Sequence, residues 1–240
     1  MATFLKAAEL VFFPSFCRLC GDLLVFHRER VVCRECLSGL EVRAFSFCSC
    51  CGRFHFSSAG PFLCGACTET TPPFSLHRSC GPYRGGLKDI ILLLKFHGCA
   101  PLAGDLAVYA CKCVKGEKNL WENVDVIVPV PLNRKKKRQR GYNQSGLVAR
   151  ALARRMVLPF RDRALRKIHH GPPQMGLEAE ARLRNVRNEY IISDRLSVRG
   201  KTILLVDDVF TTGATVTECS RILIQGGAKE VRALTLAQAL

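Results

Sequence analysis

Acidic residues are scarce in this chain: 20 Asp and Glu stand against 36 Lys and Arg in 240 residues, a formal net charge of +16. The sequence also lacks any run of about 18 apolar residues, so no membrane-spanning helix is predicted. Its first fourteen residues include Lys6 and Glu9 and show neither a long apolar core nor a small-residue cleavage site. No secretory signal is therefore predicted, and we expect a cytoplasmic protein.

Cysteine, in contrast, is abundant, with fourteen residues. In a chain without an export signal this number argues against a disulfide framework and favours metal binding. Eight of the cysteines form two units of identical spacing, each reading C-x2-C-x12-C-x2-C. They are Cys17, Cys20, Cys33 and Cys36 in the first unit, and Cys48, Cys51, Cys64 and Cys67 in the second.

Each unit predicts one structural zinc ion. Two C-x2-C turns can place four thiolates around a single Zn²⁺ at Zn–S distances of about 2.3 Å. The equal spacings favour pairing within each unit, and a cross-brace between the first and third pairs is the alternative. We expect a double zinc ribbon over residues 1–70, in which bound metal supplies much of the folding free energy.

A second domain is predicted over residues 75–240. Apolar, β-branched segments at 124–130 and 201–209 predict buried strands, and shorter strands are expected at 165–168, 190–192 and 231–237. Helices are expected at 87–96, 102–114, 143–156 and 215–225. This alternation predicts an α/β fold whose mainly parallel sheet is flanked by helices.

The segment from Ile203 to Thr215, ILLVDDVFTTGAT, carries the clearest chemistry. An apolar strand delivers Asp207 and Asp208 to its carboxyl end, where open α/β sheets bind their ligands. The next loop comprises Thr211, Thr212, Gly213, Ala214 and Thr215. Hydroxyls and backbone amides at the start of a helix suit a phosphate, whereas carboxylates suit ribose hydroxyls or Mg²⁺.

Positive charge is concentrated between Arg134 and Lys167, where thirteen basic residues and one acid give a net charge of +12. Such a field suits the phosphates of a small ligand or of nucleic acid. The densest part is the run Arg134, Lys135, Lys136, Lys137 and Arg138, which we assign as a candidate nucleic-acid site. The alternative is a solvated loop without a partner.

The Asp-Asp-threonine loop segment resembles the phosphoribosyl-pyrophosphate motif of type I phosphoribosyltransferases. Further segments resemble the ComF family, which combines that fold with cysteine clusters. They are Tyr83 with Gly86-Leu87-Lys88, Leu94-Lys95-Phe96-His97-Gly98, Val128-Pro129-Val130-Pro131, Arg140-Gly141-Tyr142-Asn143-Gln144, and Gln174, Leu177, Arg182 and Asn185. The resemblance runs from Cys17 to the C-terminus.

The resemblance implies roles for individual residues. Asp207 and Asp208 would hold the ribose hydroxyls, and Thr211 to Thr215 would bind the 5′-phosphate. Pro129, Val130 and Arg140 would lie at the pyrophosphate, which would enter with Mg²⁺. We expect a protein that binds phosphoribosyl pyrophosphate or a relative and acts in DNA uptake, with single-stranded DNA and the uptake machinery as partners. The alternative is an active phosphoribosyltransferase in nucleotide metabolism or salvage.

Overall fold

The computed structural model describes residues 14–26, 29–40, 46–55, 62–168 and 189–239. The cysteine-rich part contains α1 (Arg34–Ser38), β1 (Ser46–Phe47), β2 (Phe54–His55) and α2 (Gly65–Glu69). The larger part begins with β3 (Leu76–Ser79), α3 (Gly85–Phe96), α4 (Leu102–Cys113), α5 (Lys118–Trp121), β4 (Val126–Pro129), α6 (Arg134–Arg140) and α7 (Gln144–Met156). It ends with β5 (Leu165–Lys167), β6 (Tyr190–Ile192), β7 (Thr202–Phe210), α8 (Ala214–Gln225) and β8 (Glu230–Gln238).

Four strands form one parallel sheet in the order β3-β8-β7-β4. Strand β7 lies inside the sheet, with Leu205 paired to Val128 of β4 and to Ala233 of β8. Because all four strands run the same way, their carboxyl ends meet at one edge. The α/β fold predicted from the alternating elements is confirmed, and β5 and β6 form a separate antiparallel pair.

Both faces of the sheet are covered, because alternate residues of each strand point to opposite sides. Leu204 and Val206 pack with α3, α4 and α7, whereas Ile203 and Leu205 pack with α8. The two cysteine units are divided between the same faces. The first unit joins the α3 and α4 cluster through Cys17, and the second joins the opposite cluster through Cys48. Within the described segments, no helix has the length and apolar content that crossing a membrane requires.

Two elements of the structure differ from the sequence interpretation. Residues 134–138, for which a solvated loop was the alternative, lie in helix α6. Asn133 caps its start by accepting a hydrogen bond from the Lys135 amide at 2.8 Å, and Gly141 ends it with φ +80°. Strand β3 was not predicted, because its buried His77 and Arg78 are polar and give no apolar run. The positions Gln174, Leu177, Arg182 and Asn185 lie outside the described residues.

Candidate functional site

Two neighbouring carboxylates lie near the carboxyl end of β7. The Asp208 side chain is only 8% exposed and is held from both sides. Lys95, near the end of α3, forms an ion pair with its Oδ1 at 2.8 Å, and Gln144, the first residue of α7, donates from Nε2 to its Oδ2 at 2.6 Å. Two helices thus fix this carboxylate at the edge of the sheet.

Asp207 has a different environment. The Ser145 hydroxyl donates to its Oδ1 at 2.8 Å, and the backbone amide of Asp208 donates to the same oxygen at 2.9 Å. Burial and the neighbouring charge of Asp208 raise the pKa of Asp207 to about 7, although these donors and Lys95 oppose the rise. Asp207 therefore titrates near neutral pH, and a cation or a hydroxyl donor arriving at it would favour its charged form.

The loop after β7 turns into helix α8 at Gly213, which has φ +82°. Thr211 is exposed and Thr212 is half-buried, and the Thr212 hydroxyl accepts a hydrogen bond from the Ala214 amide at 3.4 Å. Helix α8 is twelve residues long, so its first amides carry the positive end of a substantial helix dipole. This arrangement of amides and hydroxyls can bind a phosphate group.

The segment that follows β4 reaches the same edge. Strand β4 ends at Pro129, and the Val130 amide donates to the Val206 carbonyl at 2.9 Å. Asn143 donates from Nδ2 to the Val130 carbonyl at 3.0 Å, which ties this segment to the start of α7. The structure therefore brings the predicted residues of β4 and β7 to one place.

Arg140 closes this group from the end of α6. Its Nη1 donates to Gln144 Oε1 at 3.0 Å, and Gln144 in turn donates to Asp208, so the Gln144 side chain links Arg140 to this carboxylate. Its guanidinium also lies over the Phe96 ring, 4.7 Å from the ring centroid. These two contacts fix the direction of the charged group beside the site.

Sequence reasoning did not predict the contacts of Lys95, Gln144 and Ser145 with the carboxylates. Lys95 and Gln144 stood within the family-like segments, but no role was assigned to them. A basic residue in the last turn of an apolar helix was the available signal for Lys95. It was ambiguous, because lysine at that position is ordinarily explained by the helix dipole.

The eight predicted cysteines form two groups of four, and the pairing within each unit is confirmed. Within each group all four sulfur atoms lie within 4.8 Å of one another. The Sγ–Sγ distance is 3.9 Å between Cys17 and Cys36, and 3.6 Å between Cys51 and Cys64. A tetrahedral ZnS₄ site with bonds of about 2.3 Å has sulfur atoms about 3.8 Å apart, so both groups fit Zn²⁺.

Backbone amides point at the sulfurs as a metal thiolate requires. The Cys33 amide donates to Cys17 Sγ at 3.3 Å, and the Cys64 amide donates to Cys48 Sγ at 3.4 Å. Burial opposes ionisation, but these and neighbouring amides lower the pKa of both Cys17 and Cys48 to about 6. The amides therefore favour a thiolate at one cysteine of each group, whereas burial raises the pKa of Cys36 to about 11 and that of Cys51 to about 12.

The basic run forms an exposed surface on α6. Residues 134–138 are all exposed, and Arg140 is half-buried against Phe96. A cavity of about 360 Å³ continues this surface towards β5, lined by Asn133, Arg134, Arg166, Lys167 and Ile168. The positive charge predicted from the sequence is thus presented to solvent close to the carboxyl edge of the sheet.

Comparison with known proteins gives a consistent family assignment. The profile of the phosphoribosyl transferase domain matches residues 142–240. The DNA utilization protein YhgH of Salmonella typhimurium is 30% identical over 230 residues, which cover 95% of this chain and 98% of that protein. Competence protein F of Haemophilus influenzae is 28% identical over 95% of this chain and 99% of that protein. Competence protein ComFC of Bacillus subtilis is 28% identical over 89% of this chain and 87% of that protein.

Proposed function

Because the chain belongs to the ComF/YhgH family and has a phosphoribosyltransferase domain, we propose that it binds phosphoribosyl pyrophosphate with Mg²⁺ and handles single-stranded DNA during DNA uptake. The observation that carries the ligand assignment is the geometry at the end of β7. Two carboxylates, a threonine-rich turn and a helix N-terminus follow one another within nine residues.

Each part of this edge matches one part of the ligand. Asp207 and Asp208 would accept hydrogen bonds from the ribose hydroxyls, and residues 211–215 would bind the 5′-phosphate through amides and hydroxyls. Pro129 and Val130 would lie along the pyrophosphate, and Arg140 would neutralise it, because a planar guanidinium can bind phosphate oxygens in pairs. Mg²⁺, when bound, would neutralise the charge of the pyrophosphate, and Asp207 and Asp208 are the carboxylates that could hold it.

We propose Zn²⁺ as the occupant of both cysteine groups. Four thiolates complete a tetrahedral site and leave no position for a substrate, so the role of each ion would be structural. In support, the described sulfur spacing agrees with the ZnS₄ geometry and the amides stabilise negative charge on sulfur.

The DNA assignment is supported by the exposed charge of α6. Phosphates of a single strand could follow residues 134–138 into the neighbouring basic cavity. Such contacts are independent of sequence and weaken as salt rises, because phosphate neutralisation releases counterions. The matched relatives are named as DNA utilization and competence proteins, which supports a role with DNA.

Calorimetry with phosphoribosyl pyrophosphate and Mg²⁺ tests the ligand assignment. Replacing both acids, as Asp207→Asn with Asp208→Asn, should weaken binding by about a hundred-fold or more, since hydrogen bonds to charged groups contribute about 1.5–3 kcal/mol each. Asp89→Asn, on an exposed part of α3, is the matched control and should bind as the wild type does. Wild-type affinity in the double variant would refute the assignment.

A further inference from the structure

An exposed aromatic ring stands beside the candidate site. Phe96, the last residue of α3, leaves 62% of its surface exposed, although phenylalanine is ordinarily buried. It directly follows Lys95, which is paired to Asp208 at 2.8 Å. The ring therefore lies at the end of a well-packed helix, next to the residue that pairs with the acid.

The ring is also fixed in place by its neighbours. Arg140 lies over it at 4.7 Å and is itself bonded to Gln144. The Tyr142 hydroxyl donates to the Leu94 carbonyl at 2.6 Å, which ties the end of α3 to the loop after α6. With the guanidinium over one face, the exposed ring offers its other face as a surface on which a nucleobase can stack, because every base has a flat π-face.

The surroundings identify the source of that base. Helix α6 ends at Arg140, so the exposed basic residues 134–138 lead directly to the ring. A backbone-binding basic surface joined to an aromatic ring is the arrangement by which proteins hold single strands without reading their sequence. A duplex keeps its bases stacked internally and offers none to such a ring.

We propose that Phe96 and Arg140 form a stacking platform for one base of a single strand whose phosphates lie along α6. This inference rests on the proposed binding of single-stranded DNA and adds to it a position at which a base is held beside the phosphoribosyl site. The platform gives base-dependent but sequence-tolerant affinity, which the lysines alone cannot supply.

The test compares two fluorescent strands of equal length, one of oligothymidylate and one of abasic sites, on the full-length protein. Phe96→Ala should weaken thymidylate binding by roughly 5- to 150-fold, the range expected for loss of one stacked base. It should leave abasic binding and the salt slope unchanged, because it removes no charge. Phe96→Trp should restore the affinity, and unfolding temperatures should confirm that the variants are folded.

Phe16→Ala is the matched control, because Phe16 is 57% exposed but lies on the first cysteine unit. It should not change strand binding. If the wild type binds thymidylate and Phe96→Ala binds it equally well, the platform is overturned while the DNA function stands. If the wild type binds neither strand, the proposed DNA function fails and the platform fails with it. If Phe96→Ala weakens only a free nucleoside monophosphate, the base belongs to the small ligand, and the strand assignment is overturned.

Discussion

The turn between β7 and α8, which contains the proposed phosphate-binding loop of residues 211–215, allows a quantitative test of how that loop is held. A Cβ atom added to Gly213 would lie 2.5 Å from Cζ of Phe210, and φ at this residue is +82°. Phe210 cannot easily move away. It is 4% exposed and is stacked on the buried His77 with ring centroids 4.1 Å apart and an interplanar angle of 19°.

The expected cost of Gly213→Ala has two parts. A side chain in the left-handed region costs about 1–2 kcal/mol. Overpacking against an immobile ring costs about 1–3 kcal/mol more. We therefore expect the free energy of unfolding to fall by about 2–5 kcal/mol. The affinity for phosphoribosyl pyrophosphate should fall too, because the loop must shift to relieve the overlap.

Urea unfolding of the metal-loaded protein measures this cost. Gly200→Ala is the control, because Gly200 has φ +71° but open space around its Cβ position. Its free energy of unfolding should fall only by the cost of a side chain in the left-handed region, about 1–2 kcal/mol. The double variant Phe210→Leu with Gly213→Ala should be less destabilised than the sum of the two single changes, since contacting residues are not additive. Equal losses for the two alanine variants, with full additivity, would refute the claim that Phe210 holds the loop.

Three further predictions concern metal, pH and salt. Cys48→Ser should lower zinc content from two ions per chain to one, whereas Cys50→Ser, in the same turn but outside the group of four, should keep two by metal analysis. Because the folded pKa of Asp207 is raised to about 7, its contribution to stability is largest at low pH and is lost as pH rises towards 7. In the wild type, the free energy of unfolding should therefore fall by on the order of 2 kcal/mol between pH 5 and 7, and Asp207→Asn should abolish this fall in urea titrations. An unchanged pH profile in the variant would contradict the prediction. Replacing residues 135–137 with Ala should flatten the dependence of single-strand affinity on salt, by about 0.7 in log–log slope for each phosphate that the variant no longer neutralises. If the variant keeps the wild-type slope, α6 is a solvated surface that does not bind DNA.

The sequence predicted those parts of the fold whose signal is local. Strand β7 is an unbroken apolar run because it is buried on both faces, and the cysteine spacing alone determines the two groups of four. Strand β3 escaped prediction because its stability comes from distant partners. Arg78 bonds Glu117 at 2.8 Å, and His77 bonds Thr235 at 3.0 Å, and neither partner is close to it in the chain.

Helix α6 shows a different limit. Six basic residues in seven positions repel one another, so the run by itself favours an extended loop. The helix is marked instead by its ends, where Asn133 caps the first turn and Gly141 takes the left-handed conformation. The ion pair of Lys95 with Asp208 required the tertiary fold, because the two residues lie 113 positions apart in the chain.

The cysteine units are integrated into the site rather than attached beside it. In the second unit the Cys51 carbonyl accepts a hydrogen bond from His77 Nδ1 at 2.7 Å, and a Cβ on Gly52 would lie 2.4 Å from the His77 carbonyl oxygen. Burial lowers the pKa of His77 to about 4, so this residue is neutral and can stack on Phe210 without a charge to solvate. Phe210 in turn touches the Gly213 turn.

The first unit supports the opposite end of the same arrangement. Leu40, which follows α1, packs in one cluster with Leu87 at the start of α3, and a Cβ on Gly86 would lie 3.4 Å from Leu40 Cδ2. The other end of α3 carries Lys95 to Asp208. Each group of four cysteines thus fixes an element that positions one side of the candidate site. The second fixes the proposed phosphate-binding loop through His77, and the first fixes the helix that carries Lys95 to Asp208. Structural metal in this chain would therefore influence ligand binding by fixing these backbone elements.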